Sequence, residues 1–287
     1  MVNRRLSFSS YVLALGSFIL LTLLLLAGFS AAEAPLEEWN RTFGGEEDDA
    51  AYSIQQTTDG GYILAGETGS YDAEWYDAWL IKIDSKGVEE WNRAFGDQDV
   101  TEVAYSVQQT KDGGYIVVSS SITSESLEDD MFPQYDAWLI KTDSKGVEEW
   151  NRTYGDQDVE ETVRSVQQTT DGGYILAGYT DDDYGPFIFD AWLIKTDSKG
   201  VEEWNKAFDG EDFDIVYSIQ QTSDGGYVFT ASKPIGEYCD GHRDALLVKI
   251  EGEEGASETS TPGFEVFTAI SSATIITVIL ILRRRRV

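Results

Sequence analysis

Cysteine and histidine are almost missing from this 287-residue chain: Cys239 and His242 are the only ones. One cysteine cannot form an intrachain disulfide or a cysteine-based metal site, and one histidine removes most zinc and serine–histidine chemistry. Basic residues are scarce as well, 21 against 52 acidic ones, for a formal net charge of −31. Of the acids only Glu265 lies outside residues 33–261, whereas Arg4, Arg5 and Arg283 to Arg286 all do. A central region this acidic repels phosphate backbones, so nucleic acid is not an expected partner. No cofactor is expected, with calcium the one alternative, because the acids are hard oxygen ligands.

Two long uncharged runs stand at the ends. Arg4 and Arg5 precede one from Leu6 to Ala32, which finishes in Ser30-Ala31-Ala32. Small residues after an apolar run predict a signal peptide over 1–32, an uncleaved anchor helix being the alternative. The other run, Val266 to Leu282, is followed by Arg283 to Arg286. It is at the short limit for a membrane span, and its arginines predict a cytoplasmic end. Residues 253–263 form a polar spacer leading into Pro262-Gly263-Phe264, and 264–287 the transmembrane helix and basic tail. Spacer, Pro-Gly-Phe, apolar helix and basic tail together resemble the PGF-CTERM sorting signal of archaeal surface proteins. That resemblance implies processing by an archaeosortase, attachment to a membrane lipid near Pro262, Gly263 and Phe264, and a place on the outer side of the cytoplasmic membrane.

Between the ends the chain repeats itself. Trp39, Trp91, Trp150 and Trp204 are 52, 59 and 54 residues apart, a period that points to propellers or other arrays. Each unit reads as four short strands. One alternates around the tryptophan, as in Glu89-Glu90-Trp91-Asn92-Arg93; a second resembles Ala104 to Thr110. Asp-Gly-Gly at 59–61, 112–114, 171–173 and 224–226 is a hairpin signal leading into a third. The fourth, Asp-Ala-Trp-Leu-Ile-Lys at 77–82, 136–141 and 190–195, is apolar enough for burial on both faces.

The repeat starts and stops in the middle of a unit. Leu36-Glu37-Glu38-Trp39-Asn40 is a second half without a first, and Ala245 to Gly252 a first half without a second. The expected fold over 33–252 is therefore an all-β, four-bladed β-propeller of four-stranded antiparallel blades, closed by strand 36–43 pairing beside strand 244–250. Two chains forming eight blades is the alternative ring. The turns Asp84-x-x-Gly87-x-x-x-Trp91, Asp143 to Trp150 and Asp197 to Trp204 resemble the tryptophan-docking motif of quinoprotein-like propeller repeats, one residue shorter. Quinone chemistry does not carry over, since no position matches its calcium-bearing pocket.

The turns Thr-x-Asp-Gly-Gly and Asp-Ser-Lys-Gly are uniform and belong to one face, whereas the loops of the other face vary. Binding residues ride on variable loops held by a rigid scaffold. Trp75, Phe132, Tyr184 and Tyr238 with Asp181 and Asp183 are the candidate ligand set there, aromatic rings and carboxylates suiting sugars, peptides or cations. Asp97, Asp99, Asp156, Asp158, Asp212 and Asp214 are candidate calcium ligands, although a solvated acidic rim is the favoured reading of them. Asn40 and Asn151 sit in glycosylation sequons, yet Asn92 and Asn205 hold the same place without one, which favours a role inside the blade. Gln55 and its repeats are expected to face channel waters.

The expected function is an exported, membrane-anchored surface module that recognises a glycan or an envelope protein. With no nucleophile–base pair in sight, the chain is not expected to be an enzyme. The alternative is an extracellular glycosidase or lyase using paired carboxylates such as Asp181 and Asp183.

Overall fold

The structure, a computed structural model, describes residues 34–71, 73, 75–97, 100–123, 135–155, 159–181, 189–208, 215–234 and 243–252. The chain divides into two units, 1–40 and 41–287. In the first, residues 34–40 are described and form no strand. The second holds every described strand, and together these make a four-bladed, all-β propeller of antiparallel blades.

Blade 1 is β1 (Asp49–Gln56), β2 (Tyr62–Thr68), β3 (Asp77–Ile83) and β4 (Glu89–Phe95). Blade 2 is β5 (Val100–Gln109), β6 (Tyr115–Thr123), β7 (Tyr135–Thr142) and β8 (Glu148–Tyr154). Blade 3 is β9 (Glu161–Gln168), β10 (Tyr174–Asp181), β11 (Phe189–Thr196) and β12 (Glu202–Phe208). Blade 4 is β13 (Ile215–Gln221), β14 (Tyr227–Pro234) and β15 (Arg243–Ile250). Strands pair with their chain neighbours throughout, so three blades have four strands and blade 4 has three among the described residues.

The repeat's apolar third and fourth strands do what their composition requires. They form sandwiched layers, and three apolar clusters join blade 1 to 2, 2 to 3 and 3 to 4. At the first boundary Ile63, Ala65, Ala78 and Leu80 meet Ala104, Val107, Tyr115, Val117 and Ile140, with Trp91 and Phe95 at the outer end. Small residues and tryptophans divide the interface between its narrow and wide parts. Trp91, Trp150 and Trp204 stand edge-on to Tyr115, Tyr174 and Tyr227 of the next blade, centroids 5.7, 6.0 and 6.1 Å apart. Gly146 and Gly200 (both φ 73) let the tryptophan approach: a Cβ there would run into the rings of Trp91 and Trp150.

Polar side chains tie the strands within each blade and the blades to one another. Lys82, Lys141 and Lys195 are buried in their strands, and each ammonium spans two carboxylates: Asp59 and Glu90, Asp112 and Glu149, Asp171 and Glu203, at 2.7–3.0 Å. Burial opposes the charge of Lys195, but the hydrogen bonds to Glu203 and Asp171 outweigh it and raise its pKa. The glutamine repeats bind backbone across the blade boundaries. Gln109, Gln168 and Gln221 amides donate to Gln55, Gln108 and Gln167 of the preceding blade at 2.5–2.6 Å. In return Gln109, Gln168 and Gln221 side chains accept from Thr58, Lys111 and Thr170 amides, each at 2.9 Å.

The expected closure is corrected. Residues 36–43 form no strand, β15 pairs only with β14, and no apolar cluster joins blade 4 to blade 1 among the described residues. The physical reason lies in where the turn containing Lys86 holds the chain: Arg41 donates to the Lys86 carbonyl at 3.4 Å, which ties this segment to blade 1.

Candidate functional site

Every inner strand carries a β-bulge at the same point of the repeat, and the residues left out of the ladder are Tyr52, Tyr105, Arg164 and Tyr217. A bulge re-aims its side chain, often beside an active site. Here the re-aimed groups meet. Tyr52 and Tyr105 rings lie 6.2 Å apart, and the Arg164 guanidinium lies 5.5 Å from the Tyr105 ring centre and 5.7 Å from that of Tyr217. Tyr179 of β10 adds a third face at 5.6 Å, and its own ring rests on Phe189 at 4.6 Å. Arg164 Nε is buried with no hydrogen-bond partner among the described residues. A buried donor without an acceptor costs free energy, so this one calls for an explanation.

Carboxyl groups meet the tyrosines of this cluster. The Tyr179 hydroxyl donates to Glu160 Oε1 at 3.4 Å, and the Asp181 amide donates to the Glu160 carbonyl at 2.8 Å. Burial pushes the Glu160 carboxyl above its ordinary range, and the neighbouring Asp181 charge pushes it further. On the other side the Tyr52 hydroxyl donates to Glu67 at 2.5 Å; burial and then that bond hold the phenol well above its usual range. Tyr179 thus links the two groups: its ring faces the Arg164 guanidinium and its hydroxyl reaches Glu160, whose carboxyl feels the Asp181 charge.

A second acidic group lies at the first boundary. A Cβ on Gly96 would meet the carboxyls of both Asp77 and Glu102. Burial, then the Asp77 and Asp97 charges, push Glu102 up to about 7, although the Asp97 amide donates to it at 3.3 Å. The second boundary repeats the arrangement with Asp136 and Glu161 around Gly155. Glu102 is closed off from solvent, so it belongs to the interface and not to a substrate site.

Of the residues singled out from sequence, Asp181 falls in the cluster just described. Trp75 lies away from it on the β2–β3 loop, 51% exposed. Tyr71 of the same loop has φ 58 and packs on Trp79 at 5.9 Å. Phe132, Tyr184, Asp183 and Tyr238 lie outside the described residues, as do Asp99, Asp156, Asp158, Asp212 and Asp214. Asp97 is described, and no group of three or more metal-ligating side chains occurs among the described residues. Asn40 and Asn151 are exposed and donate to Glu37 and Glu148 at 2.5 and 2.6 Å, a bond that Asn92 and Asn205 repeat with Glu89 and Glu202. Pro262, Gly263, Phe264 and both apolar runs lie outside the described residues, and no described helix could cross a membrane.

Arg164, Glu160, Tyr105 and Tyr217 were not found from sequence. A signal existed: Arg164 stands where the other three repeats have tyrosine.

No protein-family model and no curated protein matches the chain. Among solved structures it is similar to a Bacteroides caccae protein of unknown function, at 14% identity and TM-score 0.46, covering 73% of this chain and 59% of that one. An α-L-arabinofuranosidase from Lactobacillus brevis matches at 11% and 0.44, over 72% and 69% of the two chains. A β-xylosidase/α-arabinofuranosidase from a compost metagenome, solved with xylotriose, matches at 13% and 0.37, over 72% and 74%. The chain thus spans about 59% of the length of the Bacteroides protein. Two of these three are described as glycosidases, a finding that runs against the expectation that the chain is not an enzyme. That expectation leaned on a missing nucleophile–histidine pair, and glycoside hydrolysis requires only two carboxyl groups.

Proposed function

We propose that this chain is a carbohydrate-active propeller that cleaves a glycosidic bond at the Arg164 cluster. One observation carries the reading: bulges bring Tyr105 and Tyr217 onto the Arg164 cation, and Tyr179 joins that cation to the carboxyl of Glu160 near Asp181. Tyrosine rings take the apolar face of a sugar, and the unpartnered Arg164 donor takes a ring substituent. Glu160, held toward its protonated form, supplies a proton to the departing oxygen. Asp181 is the carboxylate that works opposite to it. The apolar runs at both ends support export and anchoring, with the site outside the membrane.

The test is sugar release from a panel of polysaccharides by the full-length protein in mild detergent. Glu160→Gln is expected to lose about 100-fold or more in kcat, the usual worth of a general acid. Arg164→Ala is expected to raise KM. No release from any substrate, or unchanged release by Glu160→Gln, contradicts the proposal.

A further inference from the structure

Three blade boundaries are built, and the parts of a fourth are present but separated. Ile54 on β1 is 63% exposed, while Val107, Val166 and Ile219 at the same place in the repeat are 5, 6 and 5% exposed. Leu247 on β15 is 61% exposed, while Leu80, Leu139 and Leu193 are fully buried. The glutamine staples end in the same way: the side chains of Gln56 and Gln220 have no hydrogen-bond partner among the described residues. Lys249 has Asp224 but no second carboxylate among the described residues, and it is half-exposed where its three counterparts are buried.

We propose that these two end faces bind each other between two copies of the chain, head to tail, closing a ring of two. Each face carries the residues, in the same register, that already make three stable boundaries, so the match is one the molecule itself has shown three times. The missing outer strand of blade 4 has a place in this contact. Arg41 is tied to the Lys86 carbonyl at 3.4 Å, and Arg93 and Arg152 lie against Gly146 and Gly200, the matching turn of the blade that follows each. Residue 41 of one copy is therefore held where β15 of the other would pair with it. In the complete blades Leu80 pairs with Arg93 and Leu139 with Arg152, which predicts Leu247 opposite Arg41 of the second copy. Head-to-tail contacts of this kind close into rings when the rotation allows and grow into filaments when it does not.

Light scattering of the full-length protein in mild detergent tests this. Wild type is expected at twice the chain mass, and Ile54→Asp and Leu247→Asp each at the chain mass. An equimolar mixture of the two variants should regain the double mass, because each keeps one sound face. A second measurement does not depend on charged substitutions: oxidised Cys239→Ser/Arg41→Cys/Leu247→Cys protein should run as a covalent dimer. Wild type at the chain mass at every concentration, larger open assemblies, a mixture that stays monomeric, or a cross-link confined to one chain overturns the proposal.

Discussion

The same residues are buried between blades 1 and 2, 2 and 3, and 3 and 4, and exposed at the two ends of the series. Leu193 and Leu247 occupy one position in the repeat, as do Lys195 and Lys249, and Gln167 and Gln220. Their side chains are chemically alike; only the neighbour differs. In this propeller burial is therefore a property of the boundary, not of the strand. Stability should accumulate boundary by boundary, as in other arrays whose units touch only their neighbours.

Substitutions at matched positions break the comparison most sharply at the lysines. Asp171→Asn with Glu203→Gln leaves a buried ammonium without a carboxylate and should cost about 3–5 kcal/mol in urea unfolding. Asp224→Asn at the half-exposed Lys249 should leave the urea midpoint almost unchanged, because solvent screens the pair. Next come the leucines. Leu193→Ala should cost about 3 kcal/mol, and Leu247→Ala under about 1 kcal/mol when the protein is dilute.

The acids sharpen the contrast through pH. Glu102 at the first boundary and Asp49 at the free face hold the same position in the repeat. Glu102 is pushed up to about 7, from an ordinary 4.5. Its contribution is full below pH 4.5 and is lost as pH rises through 7. Burial also works to raise Asp49, but bonds from Thr68, Ser70 and Gly45 win and hold it below 3.8. Its contribution is present above pH 3.8 and is lost as pH falls. Glu102→Gln should therefore gain about 3 kcal/mol over wild type at pH 8 relative to pH 4, a shift of one pKa unit being about 1.4 kcal/mol. Asp49→Asn should show the opposite trend. The smallest effect belongs to the staples: Gln167→Ala should cost about 1 kcal/mol, the ordinary worth of a hydrogen bond, and Gln220→Ala almost nothing.

The blades were legible because their signals are local. Asp-Gly-Gly turns the chain with Gly60 at φ 86, and the Asp-Ala-Trp-Leu-Ile-Lys run reads as a strand covered on both faces. Closure was not legible. The orphan halves Leu36 to Asn40 and Ala245 to Gly252 state that a boundary is missing, but identical residues would complete it within one chain or between two. The site was legible only at Asp181. Tyr105, Arg164 and Tyr217 come together because a bulge takes each out of the ladder, and a bulge leaves no mark in an alternating pattern. Likewise Glu102 looks like any acid in an acidic loop until blade 1 covers it.

Hydrogen exchange along β15 reaches the central claim most directly. In dilute protein, the β15 amides that do not bond to β14 should exchange far faster than their counterparts in β11, and should become protected as concentration rises. Protection equal to that of β11 at every concentration would show that one chain closes on itself, and would contradict the account.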